Sequence, residues 1–230
     1  MIRLSPRLSA VAALVPQGAH VADVGTDHGY LAVYLISTGI ADSVVATDIR
    51  EGPLTAAKQN IEGAGLSGRI ELRLCDGLAG VQPDEADTVV IAGMGGETIA
   101  GILSRSPWAL EKDRLLILSP QSKPELLRAW LYEHGCGVRS EHLVRDAGRI
   151  YPILCAEGAP DRKPKAAELL MGYWPPETRG GVFREALRRN IEKLRREAEG
   201  LRAATTDRAA AQLRETESLL AELEEWEGQL

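Results

Sequence analysis

The sequence lacks the features that mark membrane, secreted and metal-binding proteins. It has no apolar run long enough to cross a bilayer, and its first residues contain no apolar signal-peptide core. Its three cysteines, Cys75, Cys136 and Cys155, are far apart, odd in number and without metal-ligand spacing. We therefore expect reduced structural thiols in a cytoplasmic protein that has neither a membrane nor a metal partner.

A general excess of basic residues is also missing. The chain carries 27 Lys and Arg against 33 Asp and Glu, which gives a net charge of −6. This balance argues against indiscriminate nucleic-acid binding, although it is compatible with a local basic face. The 230 residues, 44% of them hydrophobic, suffice for one full α/β domain and a small appendage. The oligomeric state is open, with a monomer favoured.

What the chain does have is a regular alternation of strand-like and helix-like segments. The predicted strands are His20–Gly25, Ser43–Ile49, Ile70–Leu74, Asp87–Ala92 and Leu115–Ser119. The predicted helices between them lie near Tyr30–Ser37, Pro53–Gly63, Glu97–Ser104 and Pro124–His134. Such alternation predicts an α/β fold, with a parallel sheet covered on both faces and ligands bound at the carboxyl ends of its strands.

Two further strands, Val138–Val144 and Ile150–Ala156, flank a turn-like segment at 146–148. They predict an antiparallel hairpin that closes the sheet. A closing hairpin is typical of the methyltransferase version of this Rossmann-like fold and is absent from the usual dinucleotide-binding version.

The segment Val21–Leu31 predicts the end of a strand, a tight turn and the start of a helix. We expect bare backbone N–H groups and an open helix N-terminus there, beside a polar, nucleotide-like ligand. A dinucleotide-binding fingerprint would place glycines at 25, 27 and 30, but the chain has Asp27 and Tyr30. The dinucleotide pattern therefore fails.

The spacing Asp23-x-Gly25-x-Asp27-x-Gly29 instead resembles the first motif of class I S-adenosylmethionine-dependent methyltransferases. Asp27 stands where that motif has its middle glycine. Asp48 ends the second predicted strand 23 positions after Gly25, close to where an acid binds ribose hydroxyls in nucleotide-binding βαβ units.

Beyond a linker-like segment at 157–164 the composition changes. We assign residues 1–158 to the methyltransferase domain and residues 164–230 to a coiled-coil-like antiparallel helical hairpin. The hairpin is predicted from apolar positions at near-heptad spacing, namely Leu187, Ile191, Leu194, Ala198 and Leu201, then Leu213, Thr216, Leu220 and Leu223. Thr206 or Asp207 is expected to cap the second helix.

The charges of the predicted hairpin are divided between its helices. Residues 177–203 carry eight Lys and Arg against five acids, whereas residues 206–228 carry two Arg against seven acids. One interpretation is that the basic helix pairs with the acidic one. The other is that surplus arginines of the first helix contact RNA phosphates, which would make 164–230 a tRNA-contacting domain.

Longer motifs are similar to those of the bacterial tRNA adenine-22 N1-methyltransferase family, over nearly the whole chain. They are Asp-x-Gly-x-Asp-His-x-Tyr-Leu from Asp23, Ile-Ala-Gly-Met-Gly-Gly from Ile91, Arg-Leu-x-x-Val-Ala from Arg7 and Arg-x-Trp-Leu from Arg128. Two stretches depart from the family pattern. Ser119-Pro120-Gln121 stands in place of Gln-Pro-polar, and Tyr151-Pro152-Ile153 stands in place of Tyr-acid-hydrophobic.

The resemblance implies S-adenosyl-L-methionine as cofactor and tRNA as partner. The candidate cofactor-binding residues are Asp23, Gly25, Gly29, Asp48, Asp76, Gly77 and Gly93. Asp48 would accept both ribose hydroxyls, and Asp76 would accept the adenine amine while Gly77 leaves room for the ring. The alternative for each acid is a strand-end turn or a helix cap.

The target atom implied by the resemblance, adenine N1, carries a lone pair and needs no general base. A nearby negative charge helps as positive charge moves onto the base, so Asp27 is the catalytic candidate. His28 is expected either to orient Asp27 or to hydrogen-bond the cofactor. The alternative is that both residues only cap the next helix. The candidate substrate-binding residues are Tyr30, Met94, Gly95, Arg7 and Arg188. The alternatives are that Tyr30 packs into the core and that residues 93–96 form only a strand-to-helix turn.

Two other functions remain open from the sequence. A methyltransferase of the same fold can act on a small molecule or a protein, and it would show no preference for tRNA. An RNA-binding relative that has lost catalysis would bind no S-adenosylmethionine.

Overall fold

Seven strands build one sheet in the first of two units, which ends at Lys163; the computed structural model describes residues 2–230. The strands are β1 (Ala19–Val24), β2 (Ala41–Asp48), β3 (Ile70–Leu74), β4 (Thr88–Ala92), β5 (Leu115–Ser119), β6 (Val138–Asp146) and β7 (Arg149–Ala156). Their order is β3-β2-β1-β4-β5-β7-β6, with β1 to β5 parallel and β7 antiparallel to both β5 and β6. The predicted Rossmann-like methyltransferase sheet with its closing hairpin is confirmed.

Helices cover both faces of this sheet. They are α1 (Pro6–Ala12), α2 (Tyr30–Ser37), α3 (Glu51–Gly63), α4 (Gly96–Ser104) and α5 (Pro124–Glu133). The buried side chains of α1, α2 and α3 form one core layer with Val21 of β1. Those of α4 and α5 form the other layer with Ala22 and Val24, because successive strand residues point to opposite faces.

The register of the parallel strands brings their carboxyl ends to one edge of the sheet. Val24 of β1 lies opposite Thr47 of β2 and Ile91 of β4. Asp48 of β2 lies opposite Leu74 of β3, and Ala92 of β4 lies opposite Ser119 of β5. The loops after β1, β2, β3 and β4 therefore meet along this edge, where open α/β sheets bind their ligands.

The closing hairpin is attached to α5 by a buried ion pair. Arg128 Nη2 and Nε lie 2.7 and 3.0 Å from the two carboxylate oxygens of Glu141 on β6, and both side chains are buried. Bidentate geometry of this kind offsets the cost of burying both charges. The Arg128 motif that contributed to the family resemblance thus has a structural explanation.

The second unit, Pro164–Leu230, contains α6 (Ala166–Met171), α7 (Gly181–Arg202) and α8 (Asp207–Gly228). Most of the predicted heptad positions are buried, among them Leu187, Ile191 and Ala198 of α7 and Leu223 of α8, and the others are partly buried. Thr206 is the N-cap of α8, as expected, and its hydroxyl accepts the N–H of Ala209 at 3.2 Å.

Most element boundaries agree with the prediction to within two residues. The helix predicted to begin at Pro53 begins at Glu51, because a proline in the first turn of a helix loses no intrahelical hydrogen bond. The linker-like segment is partly fixed to the sheet, since Arg139 on β6 donates to the carbonyl oxygens of Glu157 and Ala159. None of the described helices combines the length and the hydropathy that a membrane span requires.

Candidate active site

A cavity of about 500 Å³ opens at the carboxyl edge of β1, β2, β3 and β4. We call it the carboxyl-edge cavity. Most of the predicted site residues line it: Arg7, Asp23, Gly25, Asp27, His28, Tyr30, Asp48, Asp76, Gly77, Gly93 and Met94. Gly29, Gly95 and Arg188 are not among the lining residues. A larger groove of about 800 Å³ lies at the amino ends of β1, β2 and β3, but ligands of this sheet type bind at the opposite edge.

The turn after β1 is held by three backbone hydrogen bonds, and the N–H groups of Asp27 and His28 have no acceptor among the described residues. The N–H groups of Gly25 and Thr26 donate to the carbonyl of Thr47 at 2.8 and 2.9 Å, and that of Gly29 donates to Thr26. Gly25 has φ 74°, and a side chain there would collide with the methyl group of Met94. Glycine at position 25 is therefore favoured by the left-handed turn, and a larger residue would also have to displace the flexible end of Met94.

The N-terminus of α2 is open, as expected. Gly29 is its N-cap with φ 70°, and no described side chain makes a capping hydrogen bond. Asp27 and His28 therefore do not cap α2, which removes that alternative for both residues. Gly29 itself faces α3, since a Cβ there would lie 3.1 Å from Cβ of Ala57.

Asp27 replaces the middle glycine of the class I motif, and its backbone explains how it does so. Its φ is 54°, in the left-handed region, which Asp and Asn tolerate better than other non-glycine residues. Its side chain is 63% exposed, and Oδ2 lies 3.7 Å from Nε2 of His28. The position thus keeps a glycine-like conformation and adds a carboxylate to the cavity wall.

Tyr30 is not packed into the core. Its side chain is 42% exposed and lines the carboxyl-edge cavity. Its ring stacks on that of His28, with centroids 5.4 Å apart and an interplanar angle of 20°. The start of α2 therefore presents an aromatic surface next to Asp27.

Asp23, the next-to-last residue of β1, is a buried carboxyl group, only 4% exposed. The hydroxyl of Thr26 donates to its Oδ2 at 2.7 Å. Burial raises the pKa of Asp23 to about 6; the hydrogen bond from Thr26 opposes this rise, and the nearby charge of Asp48 adds to it. A cationic group bound beside Asp23 would favour its ionised form.

Asp48 is also buried, at the end of β2. Its Oδ1 accepts the N–H of Arg50 at 2.9 Å, and the Arg50 guanidinium lies 3.7 Å away. Among the described residues no hydrogen bond to Oδ2 is found. The strand-end turn therefore uses one oxygen of Asp48 and leaves the other for a ligand. The next residue, Ile49, is 65% exposed and adds an apolar surface to the cavity.

The loop after β3 supplies Asp76 and Gly77. Asp76 is exposed and lies 3.0 Å from Nη2 of Arg105. Gly77 has φ 60°, and a Cβ there would lie 2.7 Å from Cγ2 of Ile102 on α4. The hydroxyl of Thr47 donates to its carbonyl at 2.8 Å. The glycine is thus explained by its backbone and by Ile102, and its proximity to a ligand ring stays a prediction.

The glycine-rich loop after β4 serves two purposes. Gly93, with φ 89°, and Met94 line the cavity, and the side-chain amide of Gln121 donates to the Gly93 carbonyl. Gly95 pairs with Ser122 in an isolated bridge, and Gly96 packs against the backbone of Lys123. The first half of the motif therefore faces the cavity, and the second half joins α4 to the loop before α5.

Sequence reasoning missed several residues of the cavity wall. They are Leu8, Val24, Thr26, Leu31, Thr47, Ile49, Arg50, Ala92, Thr98, Ile102 and Gln121. Most follow or precede the carboxyl end of a predicted strand, so sheet register alone would have identified them. Thr98 and Ile102 lie on one face of α4, as expected for residues four positions apart in an α-helix. Among the described residues, no group of three or more His, Cys, Asp and Glu side chains is arranged to hold a metal.

Arg188 lies in the second unit and forms an ion pair with Glu227 of α8 at 3.1 Å. Two more arginines of α7 pair across to α8: Arg195 with Glu224 at 2.7 Å, and Arg202 with Glu217 at 2.6 Å. The three arginines are spaced by seven residues, so they lie on one side of α7. Arg184 and Lys193 are exposed and have no acidic partner among the described residues.

Comparison with known proteins agrees with this architecture. A family model described as a methyltransferase domain matches residues 4–154. The tRNA (adenine(22)-N(1))-methyltransferase of Bacillus subtilis (strain 168) is 36% identical over 187 residues, 79% of each chain.

Solved structures are similar over nearly their whole length. The crystal structure of the B. subtilis tRNA methyltransferase TrmK has a TM-score of 0.89 and 32% identity, covering 97% of this chain and 99% of that one. The Streptococcus pneumoniae protein Sp1610 in complex with S-adenosyl-L-methionine has a TM-score of 0.82 and 33% identity, covering 95% of this chain and 100% of that one. The chain belongs to the tRNA (adenine(22)-N(1))-methyltransferase family.

Proposed function

We propose that this protein transfers the methyl group of S-adenosyl-L-methionine to N1 of adenine 22 in tRNA. The observation that carries the proposal is the carboxyl-edge cavity, which collects Asp23, Gly25, Asp48 and Asp76 in a chain of this family. The similar S. pneumoniae protein binds S-adenosyl-L-methionine. Because tRNA is the substrate, we place the protein in the cytoplasm.

The order of the strands suggests how the cofactor lies. Adjacent strands are ~4.8 Å apart, so the distance from β3 to β4 along the edge is about 14 Å, the length of an extended nucleoside with an amino-acid tail. The free oxygen of Asp48 at β2 would accept a ribose hydroxyl. The adenine would then lie against Ile49 toward Asp76 at β3, and the methionine moiety would extend past β1 to β4.

The chain needs to do little bond-making chemistry of its own. The bound cofactor supplies an activated methyl group on a sulfonium, and adenine N1 supplies the lone pair, so no proton has to leave before attack. N1 lies on the Watson–Crick edge, and the adenine must therefore be unpaired or flipped out to reach the cavity. The protein has to align the two groups and exclude water.

Asp27 is suited to stabilise the cation that forms on the adenine. It is exposed at the cavity wall beside the stacked rings of His28 and Tyr30. An adenine bound at this aromatic surface would lie near the Asp27 carboxylate. The attraction between the Asp27 carboxylate and the adenine increases as positive charge develops on the base. It therefore stabilises the transition state more than the bound substrate, which lowers the barrier.

We also propose that residues 164–230 contact tRNA. Arg188, Arg195 and Arg202 are paired to acids of α8, which favours a structural role for them. The exposed Arg184 and Lys193 of α7 are better candidates for phosphate contacts, because no acid among the described residues neutralises them.

The decisive experiment is methylation of bulk bacterial tRNA with labelled S-adenosylmethionine, followed by nucleoside analysis. We expect label in N1-methyladenosine, and none in a transcript that has guanine at position 22. Label in a different nucleoside would refute the target atom. Label in the guanine-22 transcript would refute position 22 as the site of methylation.

A further inference from the structure

Arg7 of α1 lies at the β4 end of the carboxyl-edge cavity. Its guanidinium carbon is 4.8 Å from the centre of the Tyr151 ring on β7, and its backbone N–H donates to Asp146 at 3.3 Å. A Cβ on Gly93 would lie 3.4 Å from Nη2 of Arg7. The guanidinium is therefore held next to Gly93, two strands away from Asp48 along the sheet edge.

The Nε atom of Arg7 is buried and has no hydrogen-bond partner in the described part of the chain. Among the described residues, Ser119 Oγ is the other buried side-chain atom without a hydrogen-bond partner. Buried donors without an acceptor are rare because they lose the hydrogen bond that water would give. No described residue accepts a hydrogen bond from any nitrogen of the Arg7 guanidinium, and the side chain lines the carboxyl-edge cavity, so a ligand is the natural acceptor for its Nη groups.

The charges of the cavity wall indicate what that acceptor is. Four carboxyl groups line the cavity, those of Asp23, Asp27, Asp48 and Asp76. Of the two lining arginines, Arg50 already has Asp48 3.7 Å away, whereas the guanidinium of Arg7 has no acidic partner among the described residues. The acids suit the cationic groups of S-adenosylmethionine but repel its carboxylate.

We propose that Arg7 binds the α-carboxylate of the methionine moiety of S-adenosylmethionine. This rests on the proposed function, since it assumes that the cavity holds that cofactor. The strand order directs the methionine moiety toward β4, where Arg7 lies, and a guanidinium pairs well with a carboxylate. A tRNA phosphate is the other anion available. The position of the guanidinium in the cavity wall beside Gly93 favours a small group inside the cavity over a phosphodiester that approaches from solvent.

The test is calorimetry with two ligands. S-Adenosylhomocysteine carries the carboxylate, and 5′-methylthioadenosine has the same adenosine and thioether without the amino acid. For Arg7→Met we expect affinity for S-adenosylhomocysteine to fall about 10- to 100-fold, with affinity for 5′-methylthioadenosine unchanged. Arg7→Lys should recover part of the loss. Arg3→Met, which removes an exposed arginine of the same segment, is the control and should change neither.

Two outcomes with the folded Arg7→Met variant would overturn the proposal. Equal losses for both ligands would give Arg7 a structural role. Retained S-adenosylhomocysteine affinity with a raised KM for tRNA would assign it to a phosphate. If Arg7→Met does not fold, wild-type protein decides the question, because equal affinity for S-adenosylhomocysteine and its decarboxylated analogue would exclude a carboxylate contact. Wild-type protein that binds neither ligand would refute the proposed function instead.

Discussion

At the scale of single residues, Asp27 combines a left-handed backbone with an exposed carboxylate at the cavity wall. Asp27→Asn preserves the backbone preference and removes only the charge. We expect kcat for tRNA methylation to fall about 100-fold, because the stabilised charge exists mainly in the transition state. Affinity for S-adenosylmethionine should stay close to that of the wild type. Single-turnover kinetics and calorimetry measure the two quantities.

Asp27→Gly is the matched control, since glycine accepts φ 54° without strain and also lacks the charge. It should behave like Asp27→Asn. A variant pair that keeps its kcat but binds the cofactor poorly would make Asp27 a cofactor ligand and not a catalytic group.

Asp23 gives the second prediction at this scale. Its pKa of about 6 lies above the ordinary value of 3.8 because the carboxyl is buried, so the folded protein holds this proton more tightly than the unfolded chain does. Its contribution to stability therefore falls as pH rises through the interval from about 4 to about 6. The full change is about 3 kcal/mol. Urea unfolding at several pH values, for wild type and Asp23→Asn, measures it.

The difference between the two proteins isolates Asp23 from the other titrating groups. The amide side chain of the variant cannot ionise, so relative to the variant the wild type should lose stability between pH 4 and pH 6. Parallel stability curves would show that Asp23 has an ordinary pKa. S-Adenosylmethionine should reduce the wild-type loss, because its cationic groups favour the ionised carboxylate.

Some residue-level features were accessible from the sequence and others were not. The acids at the strand ends could be predicted, because motif spacing and sheet register both place them at one edge of the sheet. The Arg7–Tyr151 contact could not be predicted, since it joins α1 to β7 across 144 positions and leaves no local sequence pattern. The pairing of Gly95 with Ser122 was not accessible for a similar reason, since it depends on a loop that follows β5.

At the scale of elements, the cations of α7 divide into those paired with acids and those without an acidic partner among the described residues. Replacing Arg184 and Lys193 together by Glu should raise the KM for tRNA and reduce its dependence on salt, because about two phosphate contacts are lost. Affinity for S-adenosylmethionine should not change. Filter binding across a range of salt concentrations measures the slope.

The matched control replaces Arg189 and Arg196 by Glu. Both lie on α7 and already pair with acids of their own helix, Glu185 and Glu192. Reversing the charge of these two arginines should weaken tRNA binding less than reversing the charge of Arg184 and Lys193. If the two double variants weaken binding equally, the effect is general repulsion and α7 has no defined phosphate site.

The elements that sequence predicted best are those with a strong local pattern. α2, β4 and β5 consist largely of continuous apolar runs, β3 alternates apolar and polar residues, and α7 and α8 have near-heptad stripes. α1 and α6 were not predicted, because seven and six residues are too short to show a helical period. α1 still matters for the site, since it carries Arg7.

At the scale of the whole molecule, all the residues of the carboxyl-edge cavity lie between Arg7 and Gln121, within the first unit. The sheet, its helices and the closing hairpin form that unit without any residue beyond Lys163. Cofactor binding should therefore be a property of residues 1–163 alone. Selection of tRNA, if it uses α7, requires the second unit as well.

Separate production of residues 1–163 tests this division. The fragment should bind S-adenosylhomocysteine with nearly the affinity of the full chain, because every lining residue and both core layers are retained. Its KM for tRNA should rise while single-turnover methylation at saturating tRNA continues. A fragment that folds, as judged by circular dichroism, but has lost the cofactor would show that the second unit helps to build the cavity. Unchanged tRNA kinetics would make the helical hairpin dispensable for recognition.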